Sequence, residues 1–118
     1  MKTHNFRELK IWKSALTLTK EVYLITGELP SDEKFGLKSQ INRSAVSVPS
    51  NIAEGSGRTT NKEFKYFLNV ALASSYELET QLILVENIFN LSTKKTIKNL
   101  TELQKMIGGF KRLLSEQT

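Results

Sequence analysis

The sequence contains no cysteine, one histidine and two prolines among its 118 residues. The missing cysteine excludes disulfides, thiolate zinc sites and a cysteine nucleophile together. The single histidine, His4, falls in an N-terminal tail that reads as loose and inert. No apolar run approaches the roughly 18 residues a membrane span needs. The opening Met1-Lys2-Thr3-His4-Asn5-Phe6-Arg7 lacks the apolar core of a secretory signal, so the expectation is a cytoplasmic chain that does not enter membranes. A bundle-type metal site needs inward Glu and Glu-x-x-His pairs, and no such pair is present. Glu54, Glu63, Glu77, Glu79 and Glu86 fall on different helix faces, and Glu86 alone approaches a core stripe. Gly55-Ser56-Gly57 has neither the preceding strand nor the Lys-Ser/Thr sequel of a phosphate loop. The reading is therefore non-enzymatic, with no cofactor.

What remains is helical. The length suits one domain, and a chain of this size buries roughly two-thirds of its unfolded surface without staples. Glycine and proline cluster at Gly27/Pro30 and Gly55/Gly57, and Ser92-Thr93 marks a third break. Between these points the apolar spacing predicts four helices, over about 6–26, 32–56, 60–90 and 94–115. Short connections favour an all-α, antiparallel, up-down-up-down four-helix bundle. Asn5 with Glu8, and Thr60 with Glu63, resemble capping boxes. Pro49 lies inside the second helix and predicts a kink or bend there, or a short separate helix beginning at the proline.

The stripes differ in width. On the second helix Leu37, Ile41, Ala45, Val48 and Ile52 form one core line; on the fourth, Leu100, Leu103, Ile107, Phe110 and Leu114 do. On the first, the line Leu9, Trp12, Leu16 and Tyr23 widens sideways to an apolar sector of roughly 200°, twice what one core contact needs. The third helix carries a second strip beside its core line. Ile11, Leu18, Tyr66, Val70, Ala73, Leu84 and Ile88 are therefore candidates for a subunit interface, and the expected partner is a second copy.

Seventeen basic residues against twelve acidic ones give a formal charge of +5. The excess sits at the two ends of the chain, whereas residues 59–91 are net acidic. Lys94, Lys98, Lys105 and Arg112 share one edge of the fourth helix, and Lys98 to Arg112 spans roughly 21 Å at 1.5 Å per residue. Such a ridge suits a phosphate backbone, and a plain solvated helix face has the same pattern. The second helix carries a polar face opposite its core line: Arg43, Ser47, Ser50 and Glu54, with Asn51 beside them and Pro49 in their midst. Arg43 and Glu54 are eleven residues apart, roughly 16 Å along a helix, too far to pair with each other. Together with Gly55 this face is a candidate interaction motif.

The run Gln40-Ile41-Asn42-Arg43-Ser44-Ala45-Val46-Ser47-Val48-Pro49-Ser50-Asn51-Ile52-Ala53-Glu54-Gly55 resembles the signature of the bacterial four-helix bundle protein family, also called the 23S rRNA intervening-sequence proteins. Phe6-x-x-Leu9-x-x-Trp12, Tyr23, Pro30, Glu33-x-x-Gly36-Leu37, Glu63-Phe64-x-x-Phe67-Leu68, Ala71 and Ser74-Ser75-x-Glu77-Leu78-Glu79 extend the resemblance over nearly the whole chain. It implies an antiparallel bundle whose second helix continues through Pro49, assembled as a ring-like homopentamer. A similar fold occurs in the accessory variability protein of diversity-generating retroelements, which binds a reverse transcriptase and nucleic acid. The expected function is an oligomeric adaptor that binds structured RNA or an RNA–DNA ligand through basic helix edges. The alternative is a protein-interaction or assembly module with no nucleic-acid role.

Overall fold

The computed structural model describes residues 4–33 and 35–117; the opening residues 1–3 lie outside them. Four helices account for most of this length: α1 (Lys10–Thr26), α2 (Leu37–Ser56), α3 (Asn61–Phe89) and α4 (Lys94–Glu116). No strand occurs among the described residues. They form a rod of 48 × 23 × 20 Å.

The first two helices start later than their periodicity predicts, and the caps explain why. Asn5 Oδ1 accepts from Arg7 N at 3.2 Å, a reach too short for a capping box, and closes only a 3₁₀ turn, Phe6–Glu8. Leu9 then leaves the helical region (φ −74°, ψ 127°) before α1 begins. The acidic start expected for α2 is likewise a 3₁₀ turn, Ser31–Glu33, and Gly36 (φ −102°, ψ −110°) separates it from the helix proper. The cap of α3 is as expected: Thr60 Oγ1 accepts from Glu63 N at 3.1 Å. The Thr60 and Thr59 hydroxyls, each donating to its Oε1, hold the Glu63 carboxyl below its ordinary range. The charged cap is thus present at neutral pH and is lost as pH falls through that lowered value. Asn90, in the left-handed region at φ 58°, ends α3, a conformation asparagine tolerates.

The core is a single cluster fed by all four helices. Ile11, Ala15, Leu18 and Val22 come from α1; Ile41, Ala45, Val48 and Ile52 from α2. Phe64, Leu68, Ala71, Leu78, Leu82 and Val85 come from α3; Leu100, Leu103, Ile107 and Leu114 from α4. This corrects the reading of α1. Ile11 and Leu18, expected at a subunit interface, are only 4% and 3% exposed and belong to the core, while Tyr23 is 49% exposed. A wide apolar sector does not by itself fix which line faces inward. Polar contacts on both flanks do. Thr26 Oγ1 donates to Asn42 Oδ1 of α2 at 2.8 Å, and Glu21 accepts from Thr96 Oγ1 (3.2 Å) and Asn99 Nδ2 (3.0 Å) of α4. Together they fix the rotation of α1.

The other helix pairs are pinned similarly. Gln104 Nε2 donates to Glu79 Oε1 at 3.0 Å, and Asn61 Nδ2 to the Leu114 carbonyl at 3.3 Å, so residue numbers rise along α4 as they fall along α3. Glu86, the acid read as core-adjacent, accepts from Thr93 N at 3.2 Å and anchors the α3–α4 turn.

Two buried side-chain atoms are left without a hydrogen-bond partner among the described residues, Arg58 Nε and Gln81 Oε1. Gln81 is 6% exposed. An orphaned buried acceptor costs about 1–3 kcal/mol. Gln81→Met keeps the length and removes the orphan, so it should stabilise the fold by about 1 kcal/mol in urea or thermal melts. A destabilised variant would mean that this amide is satisfied in solution.

Candidate functional site

The polar motif of α2 is largely knitted into the bundle. Ser47 Oγ and Ser74 Oγ lie 2.8 Å apart across α2 and α3. Asn51 Nδ2 donates to the Ser47 carbonyl at 2.8 Å and lies 3.0 Å from Ser47 Oγ. One turn back, Ser44 Oγ lies 3.0 Å from Glu77 Oε1. Gly55 sits at a close approach of α2 to α3: a Cβ there would stand 2.8 Å from Phe64 Cδ1 and 2.9 Å from Phe67 Cβ.

Pro49 is buried, and α2 runs through it as one helix from Leu37 to Ser56 rather than restarting there. A proline in a helix interior leaves the carbonyl four residues earlier, here Ala45, without its usual donor. Thr19 Oγ1 of α1 stands 3.3 Å from that oxygen and 2.8 Å from the Ala15 carbonyl. The freed carbonyl thus becomes a contact point between α1 and α2, a use of the proline that periodicity could not reveal. Glu54 pairs with Arg58 Nη2 at 3.1 Å, four residues on. The Arg58 guanidinium also lies over the Phe67 ring, 4.6 Å from its centroid. Arg58 was not among the residues singled out from sequence; its i,i+4 spacing from Glu54 was the available signal. Of the motif, Arg43, Ser50 and Glu54 remain exposed.

The cationic edge of α4 is open. Lys94, Lys98, Lys105 and Arg112 are all exposed, on the side away from Leu100, Leu103, Ile107 and Leu114. Lys105 is 3.8 Å from Glu102, an exposed pair of the kind that contributes little. Lys94, Lys98 and Arg112 form no ion pair among the described residues. Gly108 and Gly109 are not a close packing point: an added Cβ at either would meet only the Arg112 guanidinium, at 4.0 and 3.7 Å.

The outer strip of α3 has an apolar stretch at each end, separated by exposed Glu77 and Thr80. Tyr66 and Ile88 are each 62% exposed, Leu84 and Ala73 are exposed, and Val70 is half-buried. On another side, Trp12, Leu16, Val46, Pro49 and Ala53 line a groove of 330 Å³ between α1 and α2. A more polar groove of 390 Å³ between α1 and α4 holds Lys13, Thr17, Glu21, Asn99 and Glu102. His4 is not loose: its ring packs edgewise on Phe64 and Phe110, with centroids at 5.2 and 5.8 Å. Among the described residues, no cluster of three or more His, Asp or Glu side chains is placed to hold a metal ion. No helix there is long and apolar enough to cross a membrane.

These features define a four-helix bundle that offers a basic helix edge and an uncovered apolar strip as its accessible surfaces. Residues 7–109 match the family model of the 23S rRNA-intervening sequence protein, and the chain belongs to that family. It is also similar to a crystal structure of a protein of unknown function from the S23 ribosomal protein family of Bacteroides thetaiotaomicron. That likeness has a TM-score of 0.76 at 21% identity and covers 86% of this chain and 97% of the other, so it concerns the fold alone. No curated protein matches the chain.

Proposed function

We propose that the protein is a non-enzymatic, oligomeric binding protein of the cytoplasm that holds nucleic acid, structured RNA or an RNA–DNA ligand, through the basic edge of α4. The observation that carries this reading is the exposure of Lys94, Lys98 and Arg112 along one helix edge with no ion-pair partner. Bare cations in a row are what counterion release rewards. Four phosphate contacts would give log affinity against log salt a slope of about −3 to −4 on duplex. Fluorescence anisotropy with labelled RNA hairpins and duplex DNA across a salt series measures that slope. Reversing Lys98, Lys105 and Arg112 to glutamate is expected to flatten the slope and lower affinity by about a hundredfold or more at low salt. Affinity unchanged by the triple reversal would remove α4 from the reading.

A second reading is favoured by the uncovered strip on α3. In it, the protein is an assembly or protein-interaction module, a ring of copies such as the homopentamer the family resemblance implies. Its binding would be indifferent to the α4 cations. The two readings share the oligomer and differ in what the α4 edge does.

A further inference from the structure

At the C-terminal end of the α4 edge lies a groove of 320 Å³, lined by Leu9, Lys10, Met106, Gly109, Phe110 and Leu113. Apart from Lys10 these side chains are apolar. Leu113 is exposed, and Leu9, Met106 and Phe110 are half-buried. The groove is framed by cations. Exposed Lys10 stands on the α1 side, and the Arg112 guanidinium lies within 3.7 Å of where a Gly109 Cβ would be. Neither forms an ion pair among the described residues.

Gly108 and Gly109 have no structural use at this place. Neither has a positive φ, and no neighbour other than Arg112 would touch an added Cβ. Two adjacent glycines weaken a helix interior relative to alanine. Of the two, Gly109 lines the groove and keeps its floor open.

We propose that this groove takes one unpaired nucleobase of a single-stranded nucleic acid, with the flanking phosphates held by Arg112 and Lys10. The proposal rests on the basic-edge reading and gives it a specific contact. Charge complementarity selects the occupant: an apolar floor with an aromatic wall suits a base, and a cation on each side suits the phosphates that flank it. The groove is also continuous with the basic edge, since Lys105 lies two helical turns before Arg112, roughly 10 Å. A partner helix would need an apolar row repeating over several turns. Met106 to Leu113 covers only about 10 Å, enough for a base and short for a helix.

Gly109→Leu fills the groove at an open helical position and leaves every cation in place. The probes are a fluorescein-labelled oligouridylate dodecamer and an abasic strand of equal length. The expected result is that Gly109→Leu weakens oligouridylate binding about tenfold, the effect of one lost base stack, and leaves abasic-strand binding unchanged. Lys98→Glu/Lys105→Glu should weaken both. If Gly109→Leu binds oligouridylate as the unsubstituted chain does while the double reversal weakens it, the groove is not a base site and the basic-edge reading stands. If the unsubstituted chain binds neither strand, the base-site proposal falls, and the hairpin and duplex salt series decides the basic-edge reading separately. Equal loss on both strands, or a changed oligomeric mass by light scattering, would make the groove an electrostatic or subunit contact and overturn the proposal.

Discussion

Gly55→Ala is expected to destabilise the bundle by about 1–3 kcal/mol, or upward of roughly 4 °C in Tm. The added Cβ would meet Phe64 Cδ1 at 2.8 Å, Phe67 Cβ at 2.9 Å and the Phe64 carbonyl oxygen at 3.2 Å. Two of these atoms belong to or adjoin the α3 backbone, so a side-chain rotation does not relieve the clash; α3 itself must move. The same change elsewhere should act differently. At Gly57 the nearest neighbour would be the Glu54 carbonyl at 3.8 Å, and the effect should be close to neutral. At Gly108 the only neighbour is the Arg112 guanidinium at 4.0 Å, so alanine should stabilise the helix by about 1 kcal/mol. Thermal melts of the three variants therefore test a difference of sign. An unchanged Tm for Gly55→Ala would mean that α2 and α3 are less closely packed than described.

The contrast shows what the motif around Pro49 is for. In sequence, a polar face carrying a proline and ending in glycine suggests a docking surface. In the structure, Ser47 and Asn51 are hydrogen-bonded within the bundle, Gly55 sets the α2–α3 approach, and the carbonyl freed by Pro49 faces Thr19. The distinctive residues thus serve helix packing, and the accessible part shrinks to Arg43, Ser50 and Glu54. None of this was legible beforehand, because a periodicity of 3.6 tells which residues share a face and not whether a neighbouring helix covers it. The same gap misplaced α1. Its sector was too wide to choose a line, and the choice was made by Asn42, Thr96 and Asn99, residues distant in sequence. By contrast, the core lines of α2 and α4 were readable, since each is narrow and bounded by polar residues. The α4 cations were readable for the same reason: a residue opposite a narrow seam has nowhere to point except outward.

The remaining strip on α3 leads to the strongest expected effect on assembly. Tyr66 to Ile88 covers roughly 33 Å along the helix, and a stable subunit contact needs about 800 Å² from each partner. The strip is interrupted by exposed Glu77 and Thr80, and with the groove of Trp12, Leu16, Val46, Pro49 and Ala53 on another face it supplies different apolar surfaces on one chain. Different surfaces favour a head-to-tail contact, which closes into a ring when the rotation allows. Val70→Glu/Ile88→Glu places two carboxylates on this strip. On an isolated chain the change at exposed Ile88 is nearly free, within about 0.5 kcal/mol. Inside a subunit contact each carboxylate would be buried without a partner, costing several kcal/mol. The double variant is therefore expected to keep its helical circular dichroism while its mass by light scattering falls to that of the single 13.4 kDa chain. Leu18→Glu is the necessary comparison. Leu18 lies in the core rather than on the strip, so its substitution should abolish the helical signal itself. An oligomer that survives the double glutamate substitution would leave the α3 strip without an assembly role and move the subunit contact to the other faces of the rod.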